Sequence, residues 1–148
     1  MGRLEIRDLE FGSDGISDSL TLTMSPALFH ESLKREISTA KRDGRDISIV
    51  SISLTVESFP SISALQQSLI ELAFTLRNEL RGGDFFARTS DVGFWVLIRA
   101  PQTQAHLMVE RTGLARRDDL RIDVVERGDD EHDAWVERID QIHFFGRE

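Results

Sequence analysis

Arg81-Gly82-Gly83-Asp84-Phe85-Phe86-Ala87-Arg88-Thr89-Ser90-Asp91-Val92-Gly93-Phe94-Trp95-Val96-Leu97-Ile98 is the stretch whose reading decides the fold. Two segments rich in aromatic and β-branched residues, Phe85 to Arg88 and Gly93 to Ala100, flank the turn Thr89-Ser90-Asp91 and predict a β-hairpin. Upstream, Leu65, Leu69, Leu72, Ala73, Leu76 and Leu80 recur every three or four residues. That spacing predicts a helix from about Ser63 to Arg81, which Gly82-Gly83 should end. Before it, Ile47 to Val56 has the composition of a strand, with Phe59-Pro60-Ser61 as the turn between them. Val50 and Ile52 break its strict alternation, so both of its faces should be buried.

Working outward, Pro101 opens a helix carrying Leu107, Met108 and Leu114, and Leu120 to Val125 is a fourth strand. Asp129-Asp130-Glu131 put acids at the start of a last helix, where its dipole favours them, with Trp135, Ile139 and Ile142 turned inward. On the other side, Ser25-Pro26 supplies a capping hydroxyl and a proline at the first helical position. Phe29, Leu33, Ile37 and Ala40 follow on one face, and Gly44 closes the helix. Leu4 to Leu9 reads as a short strand and Gly12 to Asp18 as a loop, so residues 1–24 form an N-terminal extension and 25–148 one domain. The core order is β-α-β-β-α-β, an α+β class with a ferredoxin-like sheet and helices packed on it.

Composition narrows the function. With 148 residues, 40% of them hydrophobic and nine of them Phe, the chain can bury the core of one domain. A formal net charge of −8 argues against a nucleic-acid partner, which needs a basic face for phosphates. An anionic ligand must instead meet a local basic cluster. There is no cysteine, and no apolar run reaches membrane-spanning length or forms a signal peptide, so membrane insertion is not expected and a cytoplasmic protein is.

Beyond the fold, the sequence resembles GGDEF domains, the diguanylate cyclase superfamily of bacteria, over residues 18–148. That family opens with D-x-L-T-G-L-x-N-R-R-x-F, which aligns without a gap on Asp18 to Phe29. Asp18, Leu20, Thr21 and Phe29 match, while Ser25, Pro26 and Ala27 stand where Asn and two arginines are usual. The family motif R-x-x-D falls on Arg81-Gly82-Gly83-Asp84. After five intervening residues Ser90-Asp91-Val92-Gly93-Phe94 occupies the signature position, with the family's usual arginine two before it at Arg88.

The departures point to a degenerate member. The resemblance implies metal-binding carboxylates at the end of the first core strand and at the third signature position, because Mg²⁺ needs hard anionic oxygens. Those positions are Ser53 and Val92 here. Asp91 is one residue off, which in a strand turns a side chain to the other face. Ser90 and Asp91 replace the signature glycines, and the Asn-Asp-x-x-Gly-His segment is missing from a shortened stretch between Ser53 and Arg81. Gly146-Arg147 resembles the family's A-K-x-x-G-R ending without its lysine. The chain is therefore expected not to be a cyclase, to hold no metal and to need no cofactor.

What the resemblance leaves is the R-x-x-D motif, the family's inhibitory site for cyclic di-GMP. Arginine can bond guanine O6 and N7 in pairs or grip a phosphate, and aspartate can accept from guanine N1 and N2. Gly82 and Gly83 would leave room for the flat base. Inactive members that keep the motif include cyclic di-GMP receptors, some regulating exopolysaccharide export. The expected site is thus Arg81, Gly82, Gly83 and Asp84, with cyclic di-GMP and a protein partner or second protomer as partners. The alternative is a nucleotide-independent scaffold, with Arg81 complementing a helix dipole and Gly82 capping the helix. A receptor should expose Arg81 beside another arginine. A scaffold should show an apolar patch or an internal ion pair at Arg81.

The remaining candidates read as structural. His30, His106, His132 and His143 show no metal-ligand spacing, and His132 lies in an acidic helix start expected to be solvated. Arg116-Arg117-Asp118-Asp119 reads as a solvated helix end, and Trp95 and Trp135 as core. Residue counting leaves a Ser-His-Asp arrangement open, although no G-x-S-x-G nucleophile elbow is present.

Overall fold

The computed structural model describes Leu20, Thr21 and residues 23–145; the expected strand Leu4–Leu9, the loop Gly12–Asp18 and Gly146-Arg147 lie outside them. Four strands, β1 (Ser48–Leu54), β2 (Phe85–Ser90), β3 (Gly93–Ile98) and β4 (Leu120–Glu126), form one sheet in the order β2-β3-β1-β4. Every adjacent pair is antiparallel. Four helices, α1 (Pro26–Asp43), α2 (Ile62–Glu79), α3 (Gln102–Arg111) and α4 (His132–Phe145), complete the expected α+β, ferredoxin-like arrangement.

Both faces of β1 are buried, as Val50 and Ile52 imply. Its even positions, Val50, Ile52 and Leu54, join Phe94, Val96 and the leucines of α2 in one core. Its odd position Ile49, with Ile47 just ahead of the strand, joins Trp95, Leu97, Phe29, Leu33 and Trp135 under α1 and α4. Each fully buried aliphatic side chain contributes about 1.5–3 kcal/mol, so the two cores make the sheet the rigid element. Ser25 caps α1 by accepting from the Leu28 amide at 3.2 Å, and Gly44 ends it in the left-handed region at φ 64°.

Several details differ from the sequence reading: β3 ends at Ile98, Leu114 lies past α3 in a 3₁₀ turn, and Ile142 of α4 is 37% exposed instead of turned inward. β1 stops at Leu54, and Val56–Ser58 makes a short 3₁₀ turn. The hairpin turns on Asp91-Val92, because Ser90 pairs with Gly93 after a bulge between Arg88 and Ser90. Helix α2 ends at Glu79, where Leu80 leaves the helical region at φ −76°, ψ 149° and packs against the α2 core. The pull of that apolar contact ends the helix before the glycines are reached. Ahead of α1, Thr21 and Thr23 are buried, the Arg77 guanidinium donates to the Thr21 carbonyl at 3.3 Å, and Met24 makes a parallel bridge to Ala87 of β2.

Candidate functional site

Two regions at opposite ends of β2 hold the candidate chemistry, separated by about 20 Å for six residues of strand. At its start, Arg81 to Asp84 form a tight turn closed by the Asp84 amide donating to the Arg81 carbonyl at 2.9 Å. Gly82 and Gly83 sit at φ 36° and 91°, a path that L side chains rarely follow. Arg81 therefore lies beyond the helix, not in its last turn, and Gly82 caps no helix; Arg77 occupies the last turn instead. Arg81 follows directly on the C-cap Leu80, and Asp84 serves the turn by accepting the Arg99 amide.

Arg81 is exposed, and among the described residues no carboxylate pairs with it. It borders two hollows, one shared with Arg77 and Thr23, the other with Arg99, Arg111 and Leu107. Asp84 is half-buried and accepts the Arg99 amide on Oδ1 at 2.9 Å. Burial raises its carboxyl above 3.8, while backbone donors at Arg99 and Arg81 and the Arg99 charge oppose that rise. Arg99 also pairs with Glu36 and lies across Gly83, where an added Cβ would overlap its guanidinium. The room expected over Gly83 is thus taken by Arg99, whereas the space over Gly82 is open.

At the far end of β2 lies a cleft of about 480 Å³ between β1, the hairpin tip and α4. Its floor follows from a change along β1: the odd face passes from Ile49 to Ser51 and Ser53. Ser53 pairs with Gly93 of β3, and the Leu54 amide donates to the Val92 carbonyl at 2.9 Å. The two positions that the resemblance assigns to metal-binding carboxylates, Ser53 and Val92, are therefore neighbours in space. Val92 also packs against the α2 core. Arg88 is fully buried and donates to the Asp91 carbonyl at 2.7 Å. The cleft carboxylates are Glu57, Asp91 and Asp140, and among the described residues no three His, Asp or Glu side chains form a metal cluster.

Sequence reasoning missed three contacts here. Ser53 Oγ lies 2.7 Å from His143 Nε2, and His143 Nδ1 lies 2.8 Å from Asp123 Oδ2. His30 Nδ1 meets His132 Nε2 at 3.1 Å, so His132 is a partner of α1 and not a solvated cap residue. Ser53–His143 and His30–His132 join residues 90 and 102 positions apart, so no local spacing announces them. Arg117 is likewise held, by Asp119 at 2.7 and 2.8 Å and by Ser68, while Arg116 and Asp118 beside it are exposed. Trp95 and Trp135 are core, as expected, at 8% and 0% exposure.

Solved structures match this arrangement closely. The GGDEF domain of DgcB from Caulobacter crescentus, solved in complex with c-di-GMP, superposes with a TM-score of 0.76 at 15% identity, covering 92% of each chain. The fold is that of a GGDEF domain. The GGDEF domain of PA1120 (TpbB or YfiN) from Pseudomonas aeruginosa matches with a TM-score of 0.73 at 20% identity over 87% of each chain. The FimX GGDEF domain from the same organism matches with a TM-score of 0.71 at 17% identity, over 84% of this chain and 89% of its own. No protein-family model and no curated protein matches the sequence. The GGDEF fold thus persists in a sequence far from its structural neighbours.

Proposed function

We propose that this GGDEF fold has lost cyclase chemistry and serves as a cyclic di-GMP receptor, binding through Arg81 and Asp84 and passing the signal to a protein partner. The observation that carries the reading is the exposed Arg81, without a carboxylate partner among the described residues, in a hollow it shares with Arg99 and Arg111. The hollow also contains Glu79 and Asp84, and with Arg111 paired to Glu79 and Arg99 to Glu36, Arg81 is the guanidinium left for a ligand. Arg81 can bond guanine O6 and N7 or a phosphate, Asp84 can accept from guanine N1 and N2, and the open side of Gly82 admits a flat base. Support also comes from the DgcB domain, solved with c-di-GMP bound. Loss of cyclase chemistry rests on Ser53 and Val92, neither of which offers a carboxylate oxygen to Mg²⁺.

Titration calorimetry with cyclic di-GMP tests the receptor. Micromolar or tighter binding is expected, weakened in Arg81→Ala by about 1–3 kcal/mol, the worth of a bidentate arginine–guanine contact. Absence of heat from folded protein at high ligand concentration overturns it. A second reading, a nucleotide-independent docking scaffold, is favoured by one feature. Phe74 and Ile70, one turn apart on α2, are 61% and 39% exposed. A folded protein that ignores the nucleotide yet self-associates until Phe74→Glu is introduced fits that reading.

A further inference from the structure

The cleft at the far end of β2 contains polar side chains that cyclic di-GMP recognition does not use. Asp123 projects from β4, His143 from the last turn of α4 and Ser53 from the end of β1, in one hydrogen-bonded row. The row has a direction. A carboxylate only accepts, so His143 Nδ1 must donate to Asp123 Oδ2 at 2.8 Å. In the neutral ring Nε2 then carries the lone pair, and the Ser53 hydroxyl donates to it at 2.7 Å. His143 is 4% exposed, so packing fixes its ring, and the Arg121 guanidinium holds the same Asp123 oxygen at 3.2 Å. Arg121 also donates to the Ile142 carbonyl at 3.1 Å, tying the end of α4 to β4 beside the histidine. Ser53 itself is partly exposed and opens onto the cleft.

We propose that Ser53 is a nucleophile activated by His143, with Asp123 as the positioning residue, and that the cleft hydrolyses small carboxylic esters. As the Ser53 Oγ–carbon bond forms, the hydroxyl proton passes to His143 Nε2 and the carbonyl π pair moves to oxygen. Collapse breaks the carbon–oxygen bond to the alcohol, which leaves with the proton from Nε2. Water then attacks the acyl-Ser53 by the same route, releasing the acid and restoring the hydroxyl. Ser90 Oγ and Ser53 Cβ stand close together beside Gly93, 3.0 and 3.3 Å from where a Cβ there would stand, with the Ile52 carbonyl oxygen at 2.7 Å, so the Ser90 hydroxyl is a donor within reach of the nucleophile.

The walls select the substrate. Glu57, Asp91 and Asp140 line the cleft, so a phosphorylated or carboxylated ester is repelled and a neutral or cationic one is admitted. Val92, Trp95 and Val136 supply an apolar side for a short acyl chain.

Treating the full chain with a fluorophosphonate and mapping the adduct tests this directly. Wild type is expected to be labelled at Ser53 and to hydrolyse p-nitrophenyl acetate with an initial burst, while Ser53→Ala does neither. Asp123→Asn should slow both by about 10²–10⁴-fold, because an amide facing Nδ1 reverses the tautomer and removes the lone pair from Nε2. Its rate should then climb with hydroxide, where wild type levels off once the imidazole is neutral. Thermal melting confirms that each variant is folded. An unlabelled, folded wild type overturns the proposal, as does labelling that survives Ser53→Ala or proceeds equally in Asp123→Asn.

Discussion

The two ends of β2 are built on opposite terms. At its start, the turn Arg81–Asp84 holds an arginine in solvent with no carboxylate to satisfy it among the described residues. At its far end, the cleft side chains bond to each other: Ser53 to His143, His143 to Asp123, Asp123 to Arg121. A group left unpaired in the free protein is available to a ligand at little desolvation cost. A group already in a row of short hydrogen bonds is held in orientation and changes its partners only by breaking them. The first suits reversible recognition, and the second suits stability or directed reactivity.

Binding should break the symmetry most. Arg81→Ala should weaken cyclic di-GMP roughly 5- to 150-fold by calorimetry, the equivalent of about 1–3 kcal/mol, while moving folding stability by less than about 0.5 kcal/mol. Ser53→Ala, at the other end, should leave that affinity unchanged. Equal losses in the two variants would erase the distinction between the regions.

Within the turn, the two glycines should separate. Gly83→Ala meets both a φ of 91° and the Arg99 guanidinium, and should cost about 1–3 kcal/mol in urea unfolding. Gly82→Ala meets open space at φ 36° and should cost about 1 kcal/mol. A Gly82 variant as unstable as the Gly83 variant would mean that Arg99 is not the second obstacle.

In the cleft, Ser53→Ala removes the partner of the nearly buried His143 Nε2 and should destabilise by about 0.5–1.5 kcal/mol. No change in the urea midpoint would show that water replaces the hydroxyl fully.

The smallest effect concerns His30 at the rim of the cleft. Burial, then His132, then Lys34 hold its pKa below 6.5. In the unfolded chain an ordinary histidine takes its proton near pH 6.5, so the unfolded state binds first as pH falls. The stability from neutral His30 is complete above pH 6.5 and is lost as pH falls through the interval down to its folded value. Melting temperatures between about pH 7.5 and 5.5 should fall more in wild type than in His30→Gln. Parallel curves would show that burial of His30 does not set the acid dependence of stability.

Much of the architecture was legible because its signals are local. Periodic leucines mark α2, Ser25-Pro26 marks the start of α1, and the doubly apolar run of β1 marks a strand covered on both sides. Spacing from Phe29 and Arg81 even brought Ser53 and Val92 into register, and the fold makes them neighbours. What stayed hidden depends on the return of α4 across the sheet. His143 reaches Ser53 from 90 positions away, and His132 reaches His30 from 102, so neither pairing leaves a motif. The helix end was misplaced for a different reason. Gly82-Gly83 is a strong stop signal, yet the burial of Leu80 ended α2 first and freed the glycines to shape the turn.

The bridge from Met24 to Ala87 has a consequence for assembly. A sheet ordered β2-β3-β1-β4 has two open margins, each a template for another chain's strand. On the β2 margin, Met24 already occupies part of the rail, and the bulge after Arg88 twists the rest out of register. On the β4 margin, Arg121, Asp123 and Glu126 set charges along the strand. Among the described residues, strand addition is therefore discouraged on both sides.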